Sequence, residues 1–317
     1  MAEEVLPLNA ATVPVSVPKL RAPSFARTRV LYAWLFLAPV LATLVLVAGW
    51  PLARTAVFSL TNLELLSLDE PLQYVWLQNY ATVLRDPQWW RSVGNTLLFT
   101  FVTVGLETVL GLAIAQVLQK HWRGRGWLRA VVLVPWAIPT VVSARMWSWM
   151  FHDLYGAINA FLLTFGIIDQ PVAWLAGDWT AFTALVVVDV WKATPFMALL
   201  LLAGLEAIPK DVFEAARLDS PSPRRRYFAV TLPLLGPTLV VAVLFRALDA
   251  LRVFDVIYVL TGANPATASM AVYARQRLME FQEFGVGSAV SMIIFLFIGG
   301  LSVLYLRFAY RRQGAFE

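Results

Sequence analysis

The chain has 317 residues, 59% hydrophobic and 14% charged, with a mean hydropathy of +0.68, a formal net charge of +5 and no cysteine. A soluble domain carries about 25% charged and about 45–50% apolar residues, so this excess belongs in lipid. Without cysteine there is no disulfide framework, thiolate metal site or cysteine nucleophile, and a basic balance needs no nucleic acid where arginine-rich loops border a membrane.

Residues 1–28 are rich in Pro, Ser and Ala, lack periodicity and turn basic only at Lys19. They read as a mobile cytoplasmic tail before a membrane domain over 29–317. The first apolar stretch is too long and too far from the start for a cleaved signal peptide, which makes it a retained helix. Stretches of about 20 apolar residues predict six transmembrane helices near 30–51, 95–118, 130–151, 180–205, 232–260 and 285–306, an all-α polytopic protein. The fifth is long and carries charge. Pro39, Pro51, Pro135, Pro139, Pro195 and Pro237 fall inside or at the edges of these spans, where the freed carbonyls need neighbouring helices or water.

Between spans, residues 76–95 and 155–167 have the aromatic and aliphatic faces of interfacial helices, or of docking surface for an external partner. His121 and His152 have no second ligand at metal spacing and read as interfacial side chains near helix ends. With the N-terminus inside, sixteen of the twenty-five Lys and Arg fall on the cytoplasmic side, six outside and three within spans. The positive-inside rule then places both termini in the cytoplasm.

The cytoplasmic loop over 206–231 stands out. Pro209 suits a first helical position, and KDVFEAARLD is a strong helix former whose Val212, Phe213 and Ala216 share one apolar face. Ser220 and Pro221 then read as the N-cap and first residue of a second short helix, SPSPRRRYFAVT. From charge alone, the three arginines do no more than fix topology in a solvated loop.

The stretch EAARLDSPSPRRRYFAVTLP (Glu214 to Pro233) resembles the EAA loop of type I ABC-importer permeases, Glu-Ala-Ala, three residues, Gly, nine residues, Ile, one residue, Leu-Pro. Glu214, Ala215 and Ala216 are followed at the right offsets by Ser220, Val230 and Leu232-Pro233, with Ser for Gly and Val for Ile as departures. Valine keeps a β-branched apolar side chain, and serine can cap the turn unless the turn needs positive φ. FLAPVLATLVLVAGWPLARTAVFSL, WWRSVGNTLLFT, VPWAIPTVVSARMWSWMFHDLYGAIN, VDVWKATPFMALLLLAGLEAIPKDVFEAA and YVLTGANPATASMAVYARQRLMEFQEFGVGSAVS are similar, in order, to successive sections of the carbohydrate-uptake branch. That branch comprises the maltose-, trehalose- and glycerol-phosphate-like sugar permeases, inner-membrane components of binding-protein-dependent transport.

The resemblance implies a type I ABC importer permease fold in the cytoplasmic membrane. It implies a second permease as heterodimer partner, an ATP-binding subunit dimer that holds the ATP and magnesium, and an extracytoplasmic sugar-binding protein. Lipid surrounds the chain, and no nucleic acid or cofactor of its own is implied. The loop would insert into a cleft of the ATPase, with Glu214, Ala215, Ala216, Asp219, Ser220 and Pro233 as coupling positions and Glu214 paired to a basic group. The chain carries no G-x-x-x-x-G-K-[ST] phosphate loop of its own.

Ionisable residues within spans are costly unless paired or facing a cavity. Asp189 and Lys192 lie three apart in span four, and Arg246, Asp249, Arg252 and Asp255 repeat that spacing in span five. Each helix could pair its own charges for stability. By resemblance, Asp189, Lys192, Ala193 and Phe196, with Arg246, Asp249, Ala250 and Val253 on one helical stripe, line a sugar site in mid-membrane. Phe196 or Trp191 could stack on a pyranose, and two acids against two bases suit a neutral polyhydroxylated solute. Glu107 and Arg145, also at membrane depth, read as helix-holding or path-lining. A secondary transporter would carry an ion-coupling site and usually internal repeats, and no self-similarity joins the two halves. A membrane enzyme would need a metal cluster or a nucleophile and base, and neither is legible.

Overall fold

The computed structural model describes residues 24–65, 71–120, 123–219 and 222–313. The tail up to residue 23, His121 and the Ser220–Pro221 pair therefore lie outside the described residues. The last residues assigned to the tail are helical, because α1 runs from Ser24 to Leu44.

The described residues fall into two units that divide between Ala53 and Arg54. In the first, α1 passes through a π-helical turn, Val45–Gly49, into the opening residues of α2, which runs from Trp50 to Phe58. The first unit's side chains over 30–53 are exposed and, apart from Thr43, whose hydroxyl bonds the Pro39 carbonyl within the helix, without a strongly polar group, as contact with lipid requires. The π turn has a cause in sequence, since Pro51 has no N–H and its ring crowds the carbonyl four residues back. Trp50 donates five residues back to the Val45 carbonyl, which opens the ladder where the ring must fit.

The second unit holds α3 (Gln78–Arg85), α4 (Pro87–Gln119), α5 (Arg125–Ala137), α6 (Thr140–Met150), α7 (Ala157–Thr164) and α8 (Asp178–Ala207). After them come α9 (Lys210–Asp219), α10 (Pro223–Arg226), α11 (Leu232–Ala250), α12 (Asp255–Thr261), α13 (Met270–Arg275) and α14 (Phe284–Gln313). Among the described residues, five helical stretches are long and apolar enough to cross a membrane, and α5 with α6, bent by 89°, makes a sixth where the bent pair counts as one span. The apolar stretch of α8 is 61% buried, against 33% for α4 and 11% for both Pro223–Ala250 and Phe284–Arg307. A helix that is hydrophobic all round belongs in the middle, and α4, α5 and α11 all pack on α8.

Close approach at that centre depends on glycine. A Cβ at Gly111 of α4 would lie 3.1 Å from the Ala198 backbone nitrogen of α8, and one at Gly204 of α8 would lie 2.6 Å from Cγ2 of Thr238 on α11. Thr238 is β-branched and stiff within a helix. Gly204→Ala is therefore expected to lower stability by about 1–3 kcal/mol, read as a lower unfolding temperature in detergent.

Four expected boundaries change. Span two begins at Pro87 rather than near 95, because Asp86 caps it by accepting from the Gln88 amide (2.8 Å) with proline at the first position. Span three is broken, because Ile138 before Pro139 is extended. Span five ends at Ala250, and its expected last turns are the separate helix α12. The second loop helix starts at Pro223, capped by Ser222, two residues after the Ser220 cap expected from sequence. It does not stand alone, since it continues through a π turn, Tyr227–Thr231, into α11. Leu232 donates to the Tyr227 carbonyl just ahead of Pro233, repeating the arrangement at Pro51.

The ends of α4 and α14 are tied by a polar cluster. Asp86 accepts from the Tyr273 hydroxyl (2.6 Å) and from Arg277 (2.5 Å), which also donates to Glu283 (2.9 Å). Burial pushes the Asp86 carboxyl up, but bonds from Tyr273, the Gln88 amide and Arg277 outweigh it and hold the group below the usual range. Burial and the bond to Asp86 push the Tyr273 phenol well above its own. Asn95 donates to the Ala268 carbonyl (3.1 Å) and Thr96 Oγ1 accepts from the Met270 amide (2.9 Å), so the Asn-Thr pair of α4 anchors the segment before α13.

Candidate functional site

A cavity of about 540 Å³ opens between the two breaks, at Ile138–Pro139 and at Leu251–Phe254. All eight residues placed in the path by sequence line it: Asp189, Lys192, Ala193 and Phe196 from α8, Arg246, Asp249 and Ala250 from α11, and Val253 beyond its end. Val253 is not on a helical stripe with the others, because α11 has ended. Each break leaves a carbonyl that a side chain satisfies. Lys192 Nζ donates to the Ile138 carbonyl at 2.5 Å, and Ser269 Oγ donates to that of Val253 at 2.7 Å. Lys192 therefore braces the broken span, and the ion pair with Asp189 suggested by their spacing is not among the described contacts.

Arg246 joins three spans. Its Nε and Nη2 donate to the two carboxylate oxygens of Glu107 on α4 at 2.5 and 2.9 Å, a bidentate pair. Nη2 also donates to Asp189 on α8, and Nη1 to Asp249 one turn along α11 at 2.8 Å. Four of the five guanidinium N–H groups are thus engaged. Only the Arg246–Asp249 pair lies within one helix, so the account in which each helix pairs its own charges gives way to a network across α4, α8 and α11. The Asp249 side chain is 74% exposed, whereas those of Arg246, Glu107 and Asp189 are 3%, 0% and 10% exposed. Asp249 can offer hydrogen bonds to a solute, while Arg246 is committed to orienting its carboxylates.

Sequence reasoning left Glu107 without a partner, and its bond to a residue 139 positions away has no local signal. It adds a third carboxylate to the balanced set of two acids and two bases. The aromatic wall also differs, because Phe196 stacks on Trp136 (centroids 5.7 Å apart, 14° between planes) and both line the cavity. Trp191 packs edge-on against Trp147 instead. Arg252 and Asp255 line the cavity from the break and from α12 rather than from span five.

A second cavity, of about 760 Å³, lies beside α9 and is lined by Glu206, Lys210, Phe213, Glu214 and Arg217 among others. Val212 and Phe213 are half-buried and Ala216 is buried, the inner face read from sequence. Glu214, Ala215, Asp219 and Pro233 are exposed, and Leu218, one turn beyond Glu214, is 89% exposed. The loop is rooted in the bundle by Glu206 at the end of α8, which accepts from Arg125 (2.7 Å) and Arg129 (2.6 Å) of α5.

Residues 107–312 match the family model described as "Binding-protein-dependent transport system inner membrane component". The chain is 48% identical over 236 residues to the trehalose/maltose transport system permease protein MalF of Thermococcus litoralis, covering 74% of this chain and 79% of that one. It is 36% identical over 279 residues to the sulfoquinovosyl glycerol transport system permease protein SmoG of Agrobacterium fabrum, covering 87% and 90%. In fold it matches a chain of a bacterial ABC transporter involved in import of the acidic polysaccharide alginate, with a TM-score of 0.77 at 18% identity, covering 90% of this chain and 96% of that one. The chain belongs to the binding-protein-dependent transport system inner membrane components and is a non-catalytic, type I permease subunit of an ABC importer.

Proposed function

We propose that this subunit forms, with a second permease, the path of an ATP-driven importer of a neutral di- or oligosaccharide such as maltose or trehalose. The observation that carries the reading is the convergence of eight residues from separate segments on one cavity of about 540 Å³, a size usual for small-molecule sites. Asp249 hydrogen-bonds sugar hydroxyls, the Trp136–Phe196 wall offers a flat apolar face to a pyranose, and Arg246 holds Asp189 and Asp249 in place. The cavity lining sets Asp189, Asp249 and Asp255 against Lys192, Arg246 and Arg252, and with Glu107 behind Arg246 there is no excess of positive charge, which favours an uncharged solute over a sulfonated or phosphorylated one. An extracytoplasmic binding protein delivers the sugar. An ATPase dimer, holding ATP and magnesium, engages the loop over 206–231 on the cytoplasmic side, where both termini lie by the positive-inside rule.

The test is ATP-driven uptake by the whole transporter in liposomes. Labelled trehalose or maltose is expected to accumulate and a sulfonated glycoside to be left outside, whereas preference for the anion or accumulation without ATP contradicts the reading. Asp249→Ala is expected to cut uptake about tenfold or more, as losing one good hydrogen bond to a substrate does, with subunit assembly unchanged. Asp189→Ala should lower stability as well, because Asp189 is buried against Arg246. Equal effects of the two substitutions on assembly would make the charges purely structural.

A further inference from the structure

Arg145 occupies the middle of α6. The inner face of this helix is packed against the rest of the chain: Ser143 and Ala144 are buried, and Trp147 packs against Phe151 and Trp191. Its outer face is a stripe of exposed residues at helical spacing, Val141, Val142, Met146 and Trp149, with Arg145 among them. Arg145 is exposed and makes no hydrogen bond, ion pair or ring contact among the described residues. An apolar stripe alone would suit lipid, but a guanidinium in a membrane-spanning segment needs water or a negative partner.

The position of α6 says which partner. Its first residue, Thr140, lines the cavity together with Ile138 and Pro139, so the helix starts at the cavity rim. The chain leaves that cavity open, with the Asp249 side chain largely exposed in it. A transport path has to be walled on all sides, and whatever closes this one meets the residues that leave its rim. We infer that the outer face of α6 is a contact with the second permease, and that a carboxylate on the partner's facing helix pairs with Arg145. This rests on the proposed function, which requires a second permease. The competing source of negative charge is a phospholipid headgroup.

The chain has no cysteine, so Met146→Cys introduces a single thiol beside an intact Arg145. Labelled with benzophenone maleimide in membranes holding the whole transporter, it is expected on illumination to yield an adduct with the second permease. The adduct should map to a helix that contains Asp or Glu. Adducts with lipid alone, or an adducted helix without an acidic residue, overturn the inference. Arg145→Glu is expected to reduce the second permease recovered with the chain by about tenfold or more, since like charges at an interface are strongly penalised, and Arg145→Lys to retain it. Full recovery with Arg145→Glu also overturns it. An unaltered chain that purifies with no second permease removes the functional reading together with this one, whereas an intact complex with lipid-only adducts removes this one alone.

Discussion

Arg246→Met is expected to lower stability by about 3–5 kcal/mol, because removing one partner of a buried ion pair leaves the others charged and unpaired. Here the loss is shared by Glu107 and Asp189, both almost out of reach of water, while the exposed Asp249 is solvated either way. Because the guanidinium bridges α4, α8 and α11, the effect should be cooperative, a large drop in the unfolding temperature of the detergent-solubilised chain. Pairing Arg246→Met with Glu107→Gln and Asp189→Asn should recover much of that stability, since a network replaced as a whole can be close to neutral. Uptake should stay low in the triple variant, because Asp249 loses the group that orients it and the carboxylate at position 189 is gone. An Arg246→Met chain that melts like the unaltered protein would show the network to be incidental.

Glu214→Lys is expected to detach the ATP-binding subunit while leaving this chain folded. Glu214 is exposed and forms no ion pair among the described residues, so the substitution itself should change stability by no more than about 0.5 kcal/mol. Leu218 shares its side of α9 and is almost wholly exposed, an apolar group outside the apolar spans that a partner would cover. Reversing a charge paired at such an interface weakens association by about 2–5 kcal/mol, roughly thirtyfold or more. Glu206, bound to Arg125 and Arg129, would pass motion of the loop into α5 and α8. ATP-driven uptake at the normal rate in Glu214→Lys would remove the coupling role.

Much of this arrangement was legible in the sequence because membrane constraints are strong. Twenty-residue apolar runs separated by basic loops locate the spans, and the resemblance of VDVWKATPF and TGANP to sugar permeases located residues that do share one cavity. What could not be read is what depends on neighbours. The Ile-Pro pair at 138–139 announces an extended residue, but the 89° bend persists because Lys192, 54 positions away, takes the freed carbonyl. The stretch over 232–260 is too long and too charged for one plain span, but nothing in it places the end of α11 at Ala250, since Ser269 holds the carbonyl of the break from outside the helix. Arg246 looked like a partner for residues three positions along its own helix, and only the fold brings Glu107 and Asp189 against it. The sequence reading put the cap of the second loop helix at Ser220, whereas the helix begins at Pro223 behind Ser222, the next Ser-Pro pair along.

The most direct test of the account is purification of the tagged chain from mild detergent, with and without Glu214→Lys. An ATP-binding subunit should accompany the unaltered chain and be lost from the variant, with the second permease retained in both. A chain that purifies without any ATP-binding subunit and still moves solute in liposomes would contradict the account, and the charges around Arg246 would then have to be an ion-coupling site.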